Sequence, residues 1–478
     1  MNAALLPALA PLAILGLGTV LLMAQVAARR NALTSPWLSA AVLALALGAA
    51  AAGWPRDAVA ATPLLAVDAY ARLFSVLIIG AALVTVLISG PWLAPLGSEQ
   101  HEYYLLLLLA TFGAVVLVHA THIASLMLGM ETLSVALYAL IAYPDKTWLP
   151  IEAGLKYLVL SSAATAIMLF GFALLYAAVG ELGFAALGAR LAHGDPMLLG
   201  AAALMVIAGL AFKLSLVPFH MWTPDVYQGA PIPIAGYLAT VSKVAIFAAL
   251  LRWYQVSGLA RHAAIVDILT LLAVASMLVG NLLALRQANV RRLLGYSSIA
   301  HMGYLLVPLV VYGHTAQPQL ALEAASCYVV TYAVSNLAAF VALAALYGTG
   351  GADPACDVEH LAGLFWRQPL IALLLCTALL SLAGIPLTAG FVGKFYIVAA
   401  GAEVQLWVPL AALLIGSAIG LYYYLRVVYA MTAAAPAPQP SIPGAAIGAR
   451  TLCVALVALV FYLGMYPQPL IAALRGMF

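Results

Sequence analysis

Four lysines stand where an apolar helix should hold none. Lys156, Lys213, Lys243 and Lys394 lie inside hydrophobic runs, and of the five lysines in the chain only Lys146 occupies an ordinary polar link. An ammonium group at membrane depth costs about 2.5–3.5 kcal/mol on insertion scales. It needs a carboxylate, a wet cavity or the loss of its proton. Glu131, between the apolar runs His122–Met130 and Thr132–Ala142, is an intramembrane carboxylate. Desolvation drives a lysine to release its proton, and a nearby carboxylate makes it hold on. A lysine caught between the two exchanges its proton when the partner moves, which is the elementary step of a relay. A static ion pair that fixes helix against helix is the competing reading for any single Lys–Glu pair. Four lysines and a glutamate along one chain favour the relay.

The remaining candidates surround these. Lys156 lies near the start of its helix, after Glu152, and two readings stand open: a buried relay group, or a side chain that snorkels to the interface. Lys394 lies near the end of its helix, but Gly384, Pro386 and Gly390 mark that helix as discontinuous. Broken backbone is tolerated at membrane depth where it lines a wet or protein-buried site, so Lys394 is expected to face the break. The run Phe212–Pro231 reads FKLSLVPFHMWTPDVYQGAP. Pro218 removes a helix hydrogen bond close to Lys213. His220 follows Lys213 by about two turns and is either a proton carrier or a hydrogen-bonded interfacial histidine. Asp225 reads as a turn or cap residue, and Trp222 and Tyr227 as interfacial aromatics. His301 sits midway along another helix, with Ser297 and Ser298 a turn before it. Tyr328, Tyr332 and Ser335 follow helical spacing, with Thr331 and Asn336 adjacent, and make one polar face that lines water or bonds between helices. Of these, His301 is the relay candidate, with Tyr328 and Tyr332 secondary. A haem held by His220 and His301 is disfavoured by their different depths, so no electron transfer is expected here.

Hydrophobic residues make up 66% of the 478 and charged residues 7%, and mean hydropathy is +1.10. A soluble domain carries about 25% charged residues, so the chain reads as an all-α polytopic membrane protein. About fourteen spans are expected. Those that carry the candidates are the fifth (Ile123–Ala142), sixth (Ala153–Val179), seventh (Leu198–Trp222), eighth (Ile232–Trp253), tenth (Val290–Val311), eleventh (Leu322–Leu346) and twelfth (Leu370–Ala399). The seventh and twelfth are expected to be broken. A separation of 168 residues links Pro218 to Pro386, and the same offset carries Glu131 to position 299, two short of His301. Two inverted five-helix repeats, helices 4–8 and 9–13, account for this. The organisation expected is an N-terminal three-helix segment 1–100, a first repeat 101–260, a second repeat 261–432 and a C-terminal helix 433–478.

With the N-terminus outside, nine basic residues fall inside (Arg29, Arg30, Lys146, Arg286, Arg291, Arg292, Arg367, Arg426, Arg450) against six outside. The positive-inside rule then places both termini outside. The longest polar links, Gly348–Arg367 (with Asp353, Asp357, Glu359 and His360) and Ala433–Gly448, are too short for a soluble catalytic domain. No phosphate-binding loop or dinucleotide fingerprint occurs. The four cysteines are scattered without a CxxC, so iron–sulfur, zinc and dithiol chemistry lack a motif. A net charge of +3 gives no sign of a nucleic-acid partner.

Lys156-Tyr157, the run Phe212–Pro231, Ser242-Lys243 and SLAGIPLTAGFVGKF (Ser381–Phe395) together resemble the antiporter-like subunits of respiratory complex I, the proton-pumping NADH:quinone oxidoreductase. TPDVYQGAP (Thr223–Pro231) is most similar to the N-type branch, the counterpart of mitochondrial subunit 2. The likeness runs from about the fourth helix to the thirteenth. It implies a relay of Glu131, Lys156, Lys213, Lys243, His301 and Lys394, driven by quinone reduction elsewhere in the complex. Glu131–Lys213 would open and close as an ion pair, with Lys243 and His301 relaying toward Lys394. A lysine at 394 argues against the M-type branch, which carries glutamate there. The L-type branch adds a long lateral helix. The implied partners are the M-type, L-type and small membrane subunits and the peripheral redox arm. NADH, flavin (FMN), iron–sulfur clusters and quinone would be bound by other subunits, with no cofactor or metal in this chain. The implied location is a bacterial inner membrane. Two rival readings are a subunit of a multi-chain cation/proton antiporter, which would exchange Na⁺ for protons without redox partners, and a membrane spacer with static ion pairs.

Overall fold

A computed structural model describes residues 5–28, 34–52, 59–94, 100–143, 148–315, 317–347, 356–433 and 447–477. Arg29, Arg30, Arg56, Lys146 and Asp353 lie outside the described residues, as does most of the link Ala433–Gly448. The helices of the first half are α1 (Leu5–Ala28), α2 (Thr34–Ala52), α3 (Ala69–Leu93), α4 (His101–His119), α5 (Ile123–Ile141), α6 (Trp148–Val179), α7 (Phe184–Arg190), α8 (Pro196–Leu214), α9 (Trp222–Gly229), α10 (Ile232–Tyr237) and α11 (Lys243–Val256). The rest are α12 (Ala263–Leu285), α13 (Val290–His314), α14 (Gln319–Tyr347), α15 (Leu364–Arg367), α16 (Pro369–Ala383), α17 (Ala389–Glu403), α18 (Trp407–Thr432), α19 (Ile447–Met465) and α20 (Gln468–Arg475).

Helix is the dictated answer because lipid offers no partner for a free N–H or C=O, and a helix satisfies both within its own segment. Thirteen described stretches are long and apolar enough to cross a membrane. α10 and α11, joined by a π-helical turn Leu238–Ser242, count as one of them. The interrupted pair α16–α17, 15 residues in each half, supplies the fourteenth crossing, since neither half reaches the roughly 20 residues a span requires. Sequence periodicity missed a short antiparallel hairpin, β1 (Val59–Thr62) with β2 (Leu65–Val67), just before α3. It also ran α19 and α20 together as one helix.

Polar residues at the ends fix where helices start. His122 accepts a hydrogen bond from the Ala124 N–H at 3.0 Å and caps α5. Asn289 accepts from the N–H groups of Arg291 and Arg292 at 3.0 and 3.2 Å and caps α13. Asp225 proves to be no cap: it lies within α9 and pairs with Arg292 at 2.6 Å. Trp222 and Tyr227, expected at the interface, are 2% and 0% exposed, because α9 folds back against α13.

The described chain forms two compact units. Unit 1 comprises Met1–Val86, Ser98–Leu214 and Val241–Ile265; unit 2 comprises Leu87–Gly97, Ser215–Thr240 and Val266–Phe478. The stretch 215–240, which in sequence lies between two pieces of unit 1, packs with unit 2. In unit 1, α4 crosses α5 at Gly113, where a Cβ would stand 2.7 Å from the Leu133 amide nitrogen. In unit 2, α12 meets α13 at Gly280, where a Cβ would stand 2.7 Å from the Ala300 amide nitrogen. Such small-residue crossings let membrane helices pack backbone to backbone. At the centre of unit 2, α13 and α14 are 94% buried over their apolar windows, against 22% for α19. Polar side chains on α13 and α14 therefore face protein.

Candidate proton-relay residues

In unit 1 the groups converge on Lys213. It lies in the last turn of α8, and its side chain is 0% exposed. Its Nζ donates to Ser134 Oγ at 2.7 Å and to Ser161 Oγ at 2.9 Å. Glu131 Oε1 stands 3.6 Å away, too far for a hydrogen bond and close enough for a strong Coulomb attraction. Glu131, on α5 and 34% exposed at its side chain, accepts a hydrogen bond from Thr165 Oγ1 at 2.9 Å. Tyr138 O–H donates to Ser161 Oγ at 2.8 Å and so extends the hydroxyl chain. Lys243, at the start of α11 and fully buried, donates from Nζ to the backbone carbonyl of Lys213 at 2.9 Å. That carbonyl is accessible because α8 stops there. Ser215, the next residue but one, adopts φ +63°, a left-handed conformation that a non-glycine residue rarely takes.

Unit 2 holds a second group. His301 on α13 bonds through Nδ1 to the Tyr328 hydroxyl at 2.6 Å and through Nε2 to the Tyr424 hydroxyl at 3.3 Å. Tyr424 also bonds to Ser297. Ser298 links Tyr332, at 2.8 Å, to Tyr227, at 3.2 Å. Lys394, in the second turn of α17 and 8% exposed, donates to the Ala383 carbonyl at 2.8 Å. Its Nζ lies 5.2 Å from the centroid of the Tyr304 ring, an attractive cation–π placement. The Tyr304 ring in turn sits edge-on to His301 at 5.4 Å. Again the chain breaks at the lysine's acceptor. α16 ends at Ala383, Gly384 follows at φ +87°, and Leu387 adopts φ +74°. Lys394 thus reaches the orphan carbonyl end of a terminated half-helix, where a cation meets the negative pole of the dipole.

Two further expected candidates have different settings. Lys156 is 42% exposed at its side chain and pairs with Glu152 at 2.7 Å on α6. His220 lies in the interruption after α8, 7% exposed, and makes no hydrogen bond with His301, Tyr328 or Tyr332.

Residues 120–420 match the family model described as NADH:quinone oxidoreductase/Mrp antiporter, transmembrane. NADH-quinone oxidoreductase subunit N of Ectopseudomonas mendocina is 45% identical, over 97% of this chain and 94% of that one. The chain belongs to the antiporter-like subunit N family of NADH:quinone oxidoreductase. Respiratory complex I from Thermus thermophilus, solved with bound aureothin, contains a chain with 35% identity and a TM-score of 0.84, covering 98% of this chain and all of that one (100%). The Mrp complex of Dietzia sp. gives a TM-score of 0.84 at 21% identity, over 100% of this chain and 97% of that one, a likeness of fold alone.

Sequence reading of this subunit N relative missed the hydroxyl groups around Lys213. A signal was present: Glu131, Ser134 and Tyr138 stand at i, i+3 and i+7, and Ser161 and Thr165 at i and i+4, both helical-face spacings. Tyr304 and Tyr424 were missed because nothing in a tyrosine-containing apolar run says which way the ring points.

Proposed function

We propose that this chain is the proton-translocating, non-redox membrane subunit of its NADH:quinone oxidoreductase, and that Glu131, Lys213, Lys243, His301 and Lys394 carry the protons. The supporting observation is the setting of Lys213: sealed from solvent, held by two hydroxyls, and 3.6 Å from a carboxylate without a direct hydrogen bond. The pair is close enough for Glu131 to stabilise the ammonium and loose enough to separate. When Glu131 withdraws, the low-dielectric surroundings favour the neutral amine and a proton leaves through the serine and tyrosine hydroxyls. His301, bonded on both ring nitrogens, accepts on one side and donates on the other, with Tyr328 and Tyr332 beside it and Lys394 as the terminal acceptor.

Quinone reduction in other subunits supplies the drive, and those subunits hold NADH, FMN, the iron–sulfur clusters and quinone. The partners are M-type, L-type and small membrane subunits and the redox arm. The segments 101–260 and 261–432 act as the two repeats, each with a lysine at a broken helix. The location is a bacterial inner membrane, with both termini on the periplasmic side as loop charge directs.

The test is Lys213→Met in the assembled complex. Quinone reduction retained with proton pumping sharply lowered is the expected result; unchanged pumping would make the pair a static strut. Na⁺-driven proton exchange in the absence of redox subunits would instead favour the cation/proton antiporter. Lys156→Ala tests the remaining candidate, with reduced pumping assigning its Glu152 pair to the path.

A further inference from the structure

Unit 1 contains a cavity away from the lysines. It measures about 310 Å³ and lies among α6, α8, α11 and the start of α12, walled by Leu175, Leu191, Leu199, Val206, Trp253 and Ile265. Water needs two to four polar partners to settle in such a place, and these walls offer few. A transmembrane helix, 10–12 Å across, is too wide for it. An extended hydrocarbon chain is not.

Two further observations narrow the occupant. Trp253 is 4% exposed, and its buried indole N–H has no acceptor among the described residues. The ring is held edge-on to Phe172 at 5.9 Å, so the donor is fixed beside an apolar space. Charged residues of both signs adjoin the lining in sequence. His262 lines the cavity next to exposed Arg261, and the lining residues Gly194 and Pro196 flank exposed Asp195. These residues stand where α8 and α12 begin, and Trp253 is in the last turn of α11, a span-end position of the kind at which membrane proteins concentrate tryptophan.

We propose that this cavity takes one acyl chain of a zwitterionic aminophospholipid. The Trp253 indole donates to an ester carbonyl at the head of that chain, Arg261 meets the phosphate, and Asp195 meets the ammonium. A quinone tail would suit the walls but leave Arg261 and Asp195 unused. Val206, on the wall, precedes Lys213 by seven residues on α8, so the lipid braces the helix that carries the buried lysine.

The test uses the assembled complex in nanodiscs containing phosphatidylethanolamine with a diazirine midway along one acyl chain. After irradiation, adducts are expected on the peptides around Leu175 and Leu199–Val206. Leu199→Trp, which fills the space, should abolish them while labelling elsewhere persists. Arg261→Glu, a surface change that leaves the cavity intact, should lower the yield at these peptides about tenfold, the loss of one charged hydrogen bond. Absence of adducts there, indifference to Arg261→Glu, equal labelling by a diazirine diacylglycerol, or displacement by a quinone analogue would each overturn the proposal.

Discussion

At the scale of single residues, the chain answers its buried lysines with hydroxyls, backbone carbonyls and an aromatic face. Lys213 has two serines and a carboxylate 3.6 Å away; Lys394 has a carbonyl and an aromatic face. A hydrogen bond to a charged group contributes about 1.5–3 kcal/mol, so Ser134→Ala with Ser161→Ala should lower pumping-coupled turnover by roughly tenfold or more. Simultaneous measurement of NADH oxidation and membrane potential checks this; a change in neither would remove the serines from the path. Lys394→Glu reverses the charge at a site whose acceptor is a carbonyl oxygen. Impaired turnover with normal assembly is the expected outcome, judged by activity per assembled complex on a native gel.

At the scale of elements, the two interrupted helices share one device. Each stops, exposes a carbonyl end that a buried lysine meets, and resumes after a non-glycine residue in the left-handed region, Ser215 in one and Leu387 in the other. Such residues cost about 1–3 kcal/mol and persist only where the surroundings over-determine them. Thr223 Oγ1 donates to Ser215 Oγ at 2.5 Å, and the Val217 N–H donates to Ser276 Oγ at 3.0 Å. In the second break Gly390 lies so close to the Ser381 carbonyl that a Cβ has no room, and its N–H donates to Ser381 Oγ at 3.0 Å. Gly390→Ala should therefore push α17 off α16 and destabilise by about 1–3 kcal/mol. Limited proteolysis of the complex should show new cutting near 384–390; protection equal to wild type would contradict this account.

At the scale of the whole molecule, unit 1 is tied at one end by an ion pair distant in sequence. Arg252 of α11 grips Asp68 through two hydrogen bonds of 2.7 and 2.8 Å and lies 4.8 Å from the Tyr70 ring centroid. The Tyr70 hydroxyl donates to the Ala248 carbonyl at 2.8 Å, so α11, which starts with Lys243, is held at its far end. Burial pushes the Asp68 carboxyl up, but the Arg252 hydrogen bonds and charge, with the Ala71 N–H, outweigh it and hold the group below the usual carboxylate range. Its stabilisation is therefore full above an unfolded carboxylate value of about 4 and lost as pH falls through the folded value. Asp68→Asn leaves a buried guanidinium without its partner and should cost about 3 kcal/mol. Thermal inactivation of the complex from pH 7 down to 3 checks this, the wild-type advantage shrinking at the acid end.

Composition and spacing by themselves determined the spans and the two broken helices, because a bilayer leaves the backbone no alternative to helix and because glycine and proline mark where helix cannot continue. They also picked out buried lysines, since each such charge must be answered somewhere. Which atoms answer it was decided only by tertiary structure. The reach from Lys213 to Ser134 and Ser161, the reach of Lys394 to the end of α16, and the exposure of the Lys156 side chain all depend on how helices rotate about their axes. That rotation is set by small-residue crossings such as Gly113 with α5, contacts between positions that no local pattern connects.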